Sequence, residues 1–396
     1  MTPEPTTALV DARRDALLES GWGATFRFLQ PRNAAFWVYL LLCAQGGLFF
    51  LAMVRSQGDY YAPAVQLTLV ALVLYGIVLW WFFRRIDRYA RQSRKLIIVG
   101  FFWGGLGAAY SISGAANSAI LGLWANLFGQ AWANDWAPGL TAPIVEEISK
   151  GLGLVLLIAL AGRLVATALD GFVLGAFIGL GFQLFEDVQY GIGGAASDFG
   201  TDPVGNAWDT LVGRLITGVS GHIVFSAVFG AGLIYFLGRP GQPRRRGYGI
   251  LLMVVAMLMH GLWDSLGGFF GTLMDHPVLP YFLAAPFVIA FLVVAVLVFR
   301  HAVPTERQYL RAVLAPEVAD GYVTAGELDA LVDGRRARRA YRRGGQHRDR
   351  KIRKFRLEAV QDLADELAVS GGNTNDRVLF ARAELHRLPT VAPAHH

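Results

Sequence analysis

A single cysteine, Cys43, occurs in a chain of 396 residues, so neither an intrachain disulfide nor a cysteine-based zinc site is possible. Charge is scarce as well. Asp, Glu, Lys and Arg make up 17% of the chain against 54% apolar residues, a balance that a soluble domain rarely shows. Short alternating segments are missing, which excludes a membrane β-barrel. Neither an HExxH pair nor a Gly-rich phosphate loop after a strand occurs, and no Ser-His-Asp set is evident at one depth. No cleavable signal is expected: the first greasy run is too long for one and lacks a small-residue cleavage site after it.

What is present is a series of apolar runs in a chain of mean hydropathy +0.41. About 20 apolar residues cross about 30 Å of hydrocarbon. The runs lie at about 34–54, 62–83, 96–110, 140–161, 170–194, 211–237, 248–271 and 279–299. The fold class read from them is all-α: a polytopic membrane helix bundle of about eight transmembrane helices. Residues 1–31 form a cytoplasmic N-terminal segment, 32–300 the bundle, and 301–396 a basic cytoplasmic helical tail, with helical periodicity from Lys351 to Leu367. Two basic loops, Arg84–Lys95 (with Arg88 inside it) and Arg239–Arg246, belong in the cytoplasm of a plasma-membrane protein by the positive-inside rule. Four crossings separate them, the even number required, and both termini then fall inside. Ser113 to Gly139, with Trp124, Trp132 and Trp136, would break that parity as a further crossing. It is read as an interfacial or re-entrant outer segment. The Arg335–Arg343 tract reads as a surface helix or an anionic-lipid contact, and no nucleic-acid partner is expected.

A few charges interrupt the greasy runs. Glu146, Glu147 and Lys150 head the fourth run; Glu186 and Asp187 lie in the fifth, His222 in the sixth, His260 and Asp264 in the seventh. Facing lipid, the six charged groups would cost on the order of 15–20 kcal/mol, more than the about 5–15 kcal/mol net stability of a typical domain. They are expected to face each other, water or a metal. At 1.5 Å per residue, Glu146 lies about 9 Å, Glu186 about 8–12 Å and His222 roughly 16 Å below the outer surface, with His260 near mid-depth. All share one slab in the outer half of the bilayer. Facing agrees: Glu146, Glu147 and Lys150 are i,i+3 and i,i+4 neighbours, Glu186 returns to the Gly171–Gly175–Gly179 face, and Gly218, His222, Ser226 and Gly230 form one row.

Two adjacent acids with one lysine leave a carboxylate without a full partner, which suits a general base. A structural ion-pair network is the plainer alternative. Asp187 reads as a solvated helix end. A lone His222 would ordinarily be a packing residue, but His260 lies at matching depth. Asp264, one turn from His260, could hold an imidazole in one tautomer. His222, His260 and a glutamate would make a three-ligand zinc site with one position open to water. His276, His301, His347, His386, His395 and His396 lie in loops or tail and are assigned nothing.

Glu146-Glu147-xx-Lys150, Phe182-xxx-Glu186 with Tyr190, His222, and His260-xxx-Asp264 resemble, in order and on four separate helices, the motif series of the PrsW family of intramembrane proteases. That family is distantly similar to the type II CAAX prenyl endopeptidases. The resemblance covers about residues 96–300. The cousin enzymes carry EExxxR where Lys150 stands here at a shorter spacing, FxxxH where this chain reads FxxxE, and an aromatic where Gly218 stands. The resemblance implies that Glu146 or Glu147 activates water, that Glu186, His222 and His260 hold a metal (zinc) or that water directly, that Asp264 orients His260 or polarises the scissile carbonyl, and that Lys150 fixes the glutamate pair. It implies a metallo- or glutamic-type endopeptidase that cuts a membrane-anchored protein near the extracytoplasmic side, with that protein and the lipid bilayer as partners. Two other readings compete. An ion- or proton-coupled transporter would show internal repeats, which are not visible. A non-catalytic membrane scaffold predicts that the polar clusters do not meet in space.

Overall fold

The computed structural model describes residues 5–87, 89, 91–271, 273, 276, 278–343 and 347–389. Arg88, His395 and His396 lie outside the described residues. Regular structure among the described residues is helical: α1 (Pro5–Ser20), α2 (Ala34–Arg84), α3 (Arg94–Phe102), a π-helical stretch (Trp103–Ser113), α4 (Gly114–Phe128), α5 (Gln130–Ala161), α6 (Ala168–Ala195), α7 (Pro203–Thr217), α8 (His222–Leu237), α9 (Arg246–Asp264), α10 (Leu266–Phe270), α11 (Leu279–Ala319), α12 (Ala325–Val332), α13 (Arg335–Arg343), α14 (His347–Val369) and α15 (Asp376–Arg387).

Among the described residues, six stretches are long and apolar enough to cross a bilayer: Ala34–Arg84, Arg94–Phe128, Ala168–Ala195, Pro203–Leu237, Arg246–Asp264 and Leu279–Ala319. The first is two crossings. A straight helix of 51 residues would be about 76 Å long. Instead Tyr61 leaves the helical conformation (φ −126°, ψ 39°) just before Pro63. Tyr39 Oη donates to Val99 O at 2.9 Å, and Trp80 packs edge-on to Phe101 with centroids 5.7 Å apart. Residues 41 apart in α2 thus stand beside the same turn of α3, which requires the chain to fold back at Tyr61. α5, left out of those six because Glu146, Glu147 and Lys150 fall together in its apolar stretch, counts as the eighth. Among the described residues the bundle therefore has eight crossings. α1 and the tail helices share one face of it, the tail face; the opposite one is the far face.

The stretch Ser113 to Gly139 differs from the interfacial segment expected of it. α4 continues α3 through the π-helix, and Gly129 reverses the chain at φ +88°, a left-handed conformation open to glycine. Trp124 Nε1 donates to Thr141 Oγ1 at 3.1 Å, and Trp124, Phe128 and Trp132 pack on one another with tilted rings. The aromatics that suggested a membrane surface join α4 to α5. These are extensions of the third and fourth crossings, so parity is preserved.

α6 is the hub, buried along nearly its whole length. A capping box formed by Thr167 and Asp170 starts it. A Cβ on Gly171, Gly175 or Gly179 would stand 2.5, 2.1 or 2.3 Å from the backbone oxygen of Gly230, Ser226 or His222. α6 and the antiparallel α8 therefore touch backbone to backbone. The returning pass is interrupted: a 3-10 turn, Gly218–Ser220, and Gly221 at ψ −134° separate α7 from α8. The expected row through Gly218, His222, Ser226 and Gly230 consequently holds only from His222 onward.

At the tail face α11 runs on beyond the bundle and packs with α1 and the tail. Buried Glu317 accepts from Arg13 at 2.8 Å and from Arg382 at 2.7 Å. Buried Glu327 pairs with Arg356, caps α12 through Thr324 and accepts from Tyr341 Oη at 3.0 Å. Thr167 Oγ1 donates to Glu306 Oε1 at 2.6 Å, tying α11 to the start of α6. Glu317→Ala is expected to destabilise the tail by about 3–5 kcal/mol, because two largely buried arginines lose their counter-charge. Limited proteolysis in rising urea should cut the tail earlier in the variant while the bundle stays intact; an unshifted cleavage profile would count against this account of the trio.

Candidate active site

Three contacts set α5 in place. Trp103 fills the notch at Gly153, where a Cβ would stand 2.0 Å from its Cδ1. Its Nε1 donates to Ser149 O at 3.0 Å, and the hydroxyls of Ser113 and Ser149 lie 2.9 Å apart. The π-helical stretch has i→i+5 bonds and so turns less per residue than an α-helix. It brings Asn117 of α4 over α5, where Nδ2 donates to Glu146 Oε1 at 2.9 Å.

One turn of α5 then presents Glu146, Glu147 and Lys150 to α8 and α9. All three are buried. Glu147 is saturated. Its Oε1 accepts from Lys150 Nζ at 2.6 Å and lies 3.1 Å from His260 Nδ1, and its Oε2 accepts from Ser226 Oγ at 3.2 Å. Glu146 is not. Its Oε2 has no hydrogen-bond partner, yet it lies 3.7 Å from His222 Nδ1, 3.7 Å from His260 Nε2 and 3.8 Å from Lys150 Nζ. The two imidazoles meet edge to face at 4.9 Å. Phe225 stacks on His260 at 5.1 Å. Lys150 Nζ also sits 3.2 Å from His222 Nδ1 and 4.2 Å above the Phe182 ring.

Glu186 stands behind His222. Its Oε2 lies 2.8 Å from His222 Nε2 and accepts from Arg214 at 2.7 Å. Arg214 also bonds Asp187 and lies over Tyr190 at 3.8 Å. Asp187 is therefore a buried ion-pair member and not the solvated helix end expected. Asp264 Oδ2 is 3.2 Å from His260 Nε2 and, with a side chain 23% exposed, lies at the rim. All seven sequence-named residues thus converge. The separation that a scaffold reading requires is not found.

Three participants were missed. Asn117 lay in the stretch read as interfacial. Ser226 was seen only as part of a packing row. Arg214 did carry a signal, a charge inside the sixth apolar run.

The donor set fits a divalent ion. Glu146, His222 and His260 each offer one ligand atom, all within 4.8 Å of one another. Two ligands about 2.0–2.2 Å from one zinc ion at a tetrahedral angle stand roughly 3.4 Å apart, so separations of 3.7 Å need little closure. The second nitrogen of each imidazole already faces a carboxylate, Glu147 for His260 and Glu186 for His222, as is usual for metal-binding histidines. Glu186 was expected among the ligands; in the structure the carboxylate beside both imidazoles is Glu146. To receive the ion, His222 Nδ1 would give up its contact with Lys150 Nζ, which would keep Glu147 and the Phe182 ring.

A family model described as the PrsW family intramembrane metalloprotease matches residues 92–298, just over half of the chain. No curated protein and no solved structure matches.

Proposed function

The chain belongs to the PrsW family of intramembrane metalloproteases, and from that premise we propose that it hydrolyses a peptide bond of a membrane-anchored protein in the half of the bilayer nearer its far face. The positive-inside rule makes that the extracytoplasmic half and puts both termini in the cytoplasm. The observation that carries this reading is Glu146 Oε2: a buried carboxylate oxygen without a hydrogen-bond partner, facing two imidazole nitrogens.

Glu146, His222 and His260 would hold the ion, and their nitrogen and oxygen donors suit zinc. Bound there, it would acidify a water and polarise a carbonyl at neutral pH. The remaining steps belong to the protein. Glu147 and Glu186 each accept the N–H of one imidazole, so that the other nitrogen is presented bare towards Glu146. Lys150 balances Glu147, and Asn117 holds Oε1 of Glu146 so that Oε2 points inward. Asp264 is at the rim. It accepts the proton of the attacking water and returns it to the leaving amine.

Purified protein reconstituted with a single-pass substrate should carry about one divalent ion per chain and lose cleavage to a strong chelator. Asp264→Asn is expected to retain the ion and lose about 10²–10⁴-fold in rate. Wild-type cleavage by an ion-loaded Asp264→Asn would remove Asp264 from proton transfer; chelator-insensitive cleavage by ion-free protein would remove the metal.

A further inference from the structure

The site described above uses the face of α6 that carries Phe182 and Glu186. Next to it on the same helix runs a second polar line. Gln183 and Asp187 are 2% and 0% exposed, and Thr68 of α2 is 0% exposed. Four of their atoms have no hydrogen-bond partner: Gln183 Oε1 and Nε2, Asp187 Oδ2 and Thr68 Oγ1. Buried polar atoms in native proteins are nearly always bonded, to ordered water where protein partners are lacking.

The three residues lie along one seam, where α2 and α7 pack on α6. The Gln183 amide is one helical turn along α6 from the Asp187 carboxylate. It also abuts the interrupted pass: a Cβ on Gly218 would stand 2.1 Å from Nε2, and one on Gly221 would stand 3.5 Å from Oε1. Tyr75 Oη lies 3.3 Å from that same Gly218 position. At the other end, Thr68 Oγ1 is 2.9 Å from where a Cβ on Gly191 would be. At 191, 218 and 221 the absence of a side chain lets the polar groups of the seam lie directly against backbone. From Gly191 to Gln183 it runs about 12 Å along α6. Ala64, Ala195 and Ala207, all fully buried, close the packing beyond it.

The seam meets the hydrolytic site twice. Gly221 immediately precedes His222, and Arg214 bonds Asp187 on one side and Glu186 on the other. Non-helical backbone at membrane depth is tolerated only where protein buries it or water lines it, and the break at Gly218–Gly221 lies against the bare Gln183 amide.

We propose that this seam binds water. A short file of molecules is held by Thr68, Gln183 and Asp187 and supplies the hydrolytic site through the break at Gly218–Gly221. Each turnover consumes one water where hydrocarbon holds almost none, so a store beside the site serves the reaction. Use of the water rests on the hydrolytic reading; its presence does not.

Hydroxyl-radical labelling by X-ray radiolysis of the full chain tests presence without any substrate. Leu211, fully buried and beside Gly191, should oxidise faster than equally buried Leu174. Thr68→Val with Gln183→Leu should abolish that difference and lower cleavage about tenfold at unchanged KM, on the scale of one lost hydrogen bond. Thr68→Val alone serves if the pair does not fold. In a dry seam, apolar replacement of bare polar groups is neutral or stabilising. Equal labelling of Leu211 and Leu174 in the wild type would overturn the proposal. Labelling with cleavage unchanged in the variant would overturn the supply role. If the wild type cleaves nothing, labelling still decides whether water is bound.

Discussion

Glu146→Gln is expected to insert and fold and to lose at least about 10³-fold in cleavage rate, the scale seen when a reactive group that acts with others is removed. Glutamine keeps the size of the side chain, and one amide atom can still face Asn117 Nδ2. It cannot supply an anionic oxygen between His222 Nδ1 and His260 Nε2, so ion retention should fall together with rate. Folding should not suffer. In the ion-free protein Oε2 is a buried acceptor without a hydrogen bond, and removing its charge relieves a desolvation cost; compared ion-free, the variant's melting temperature should match or exceed that of the wild type. His260→Ala should be as inactive but less stable, because it strips the ring from Phe225 and a hydrogen-bond partner from Glu147. Cleavage of a reconstituted single-pass protein, metal content and thermal melting separate these outcomes. Two well-folded variants that cut like the wild type would remove the site assignment.

Gly179→Ala, a change of one methyl group, is expected to cost about 100-fold in rate and about 1–3 kcal/mol in stability. Its Cβ would stand 2.3 Å from His222 O, where an ordinary contact is 3.4–4 Å. Backbone blocks it on the α8 side, so the two helices must part by about 1 Å. His222 begins α8, and the shift falls directly on its distances to Glu146 and Glu186. Reactive groups tolerate about 0.5 Å of displacement. Gly193→Ala is the control: nothing lies within 4 Å of its Cβ position, and rate and stability should match the wild type. Equal behaviour of the two variants would show that α6–α8 contact does not set the site.

The contrast between these glycines indicates what a sequence makes legible. Eight crossings could be read because apolar length is set by the thickness of hydrocarbon. Convergence of Glu146, His222 and His260 could be read because a polar group in such a run needs company. Asn117 could not: an amide in a short Trp- and Ala-rich stretch registers no comparable cost, and it reaches Glu146 only because a π-helix re-aims α4. The break before His222 was equally hidden. Gly218 and Gly221 look like packing residues on a continuous helix, and the broken backbone is stabilised by α6, far away in sequence. Glu186 was assigned as a ligand from its place in a motif series; which side of His222 it occupies depends on Arg214, whose partners only the fold brings together.

α11 bears on how the tail relates to the chemistry. It is one helix from Leu279 to Ala319. Inside the bundle its Phe291 packs on Phe225 at 5.5 Å, and Phe225 in turn carries His260. Just past the bundle Glu306 is fastened to Thr167, and at its end Glu317 is gripped by Arg13 and Arg382. One helix thus carries both the tail's ion pairs and the ring that packs beneath His260's neighbour. A torque applied at Glu317 would be taken up either at the Glu306 fastening or in the aromatic stack beneath His260.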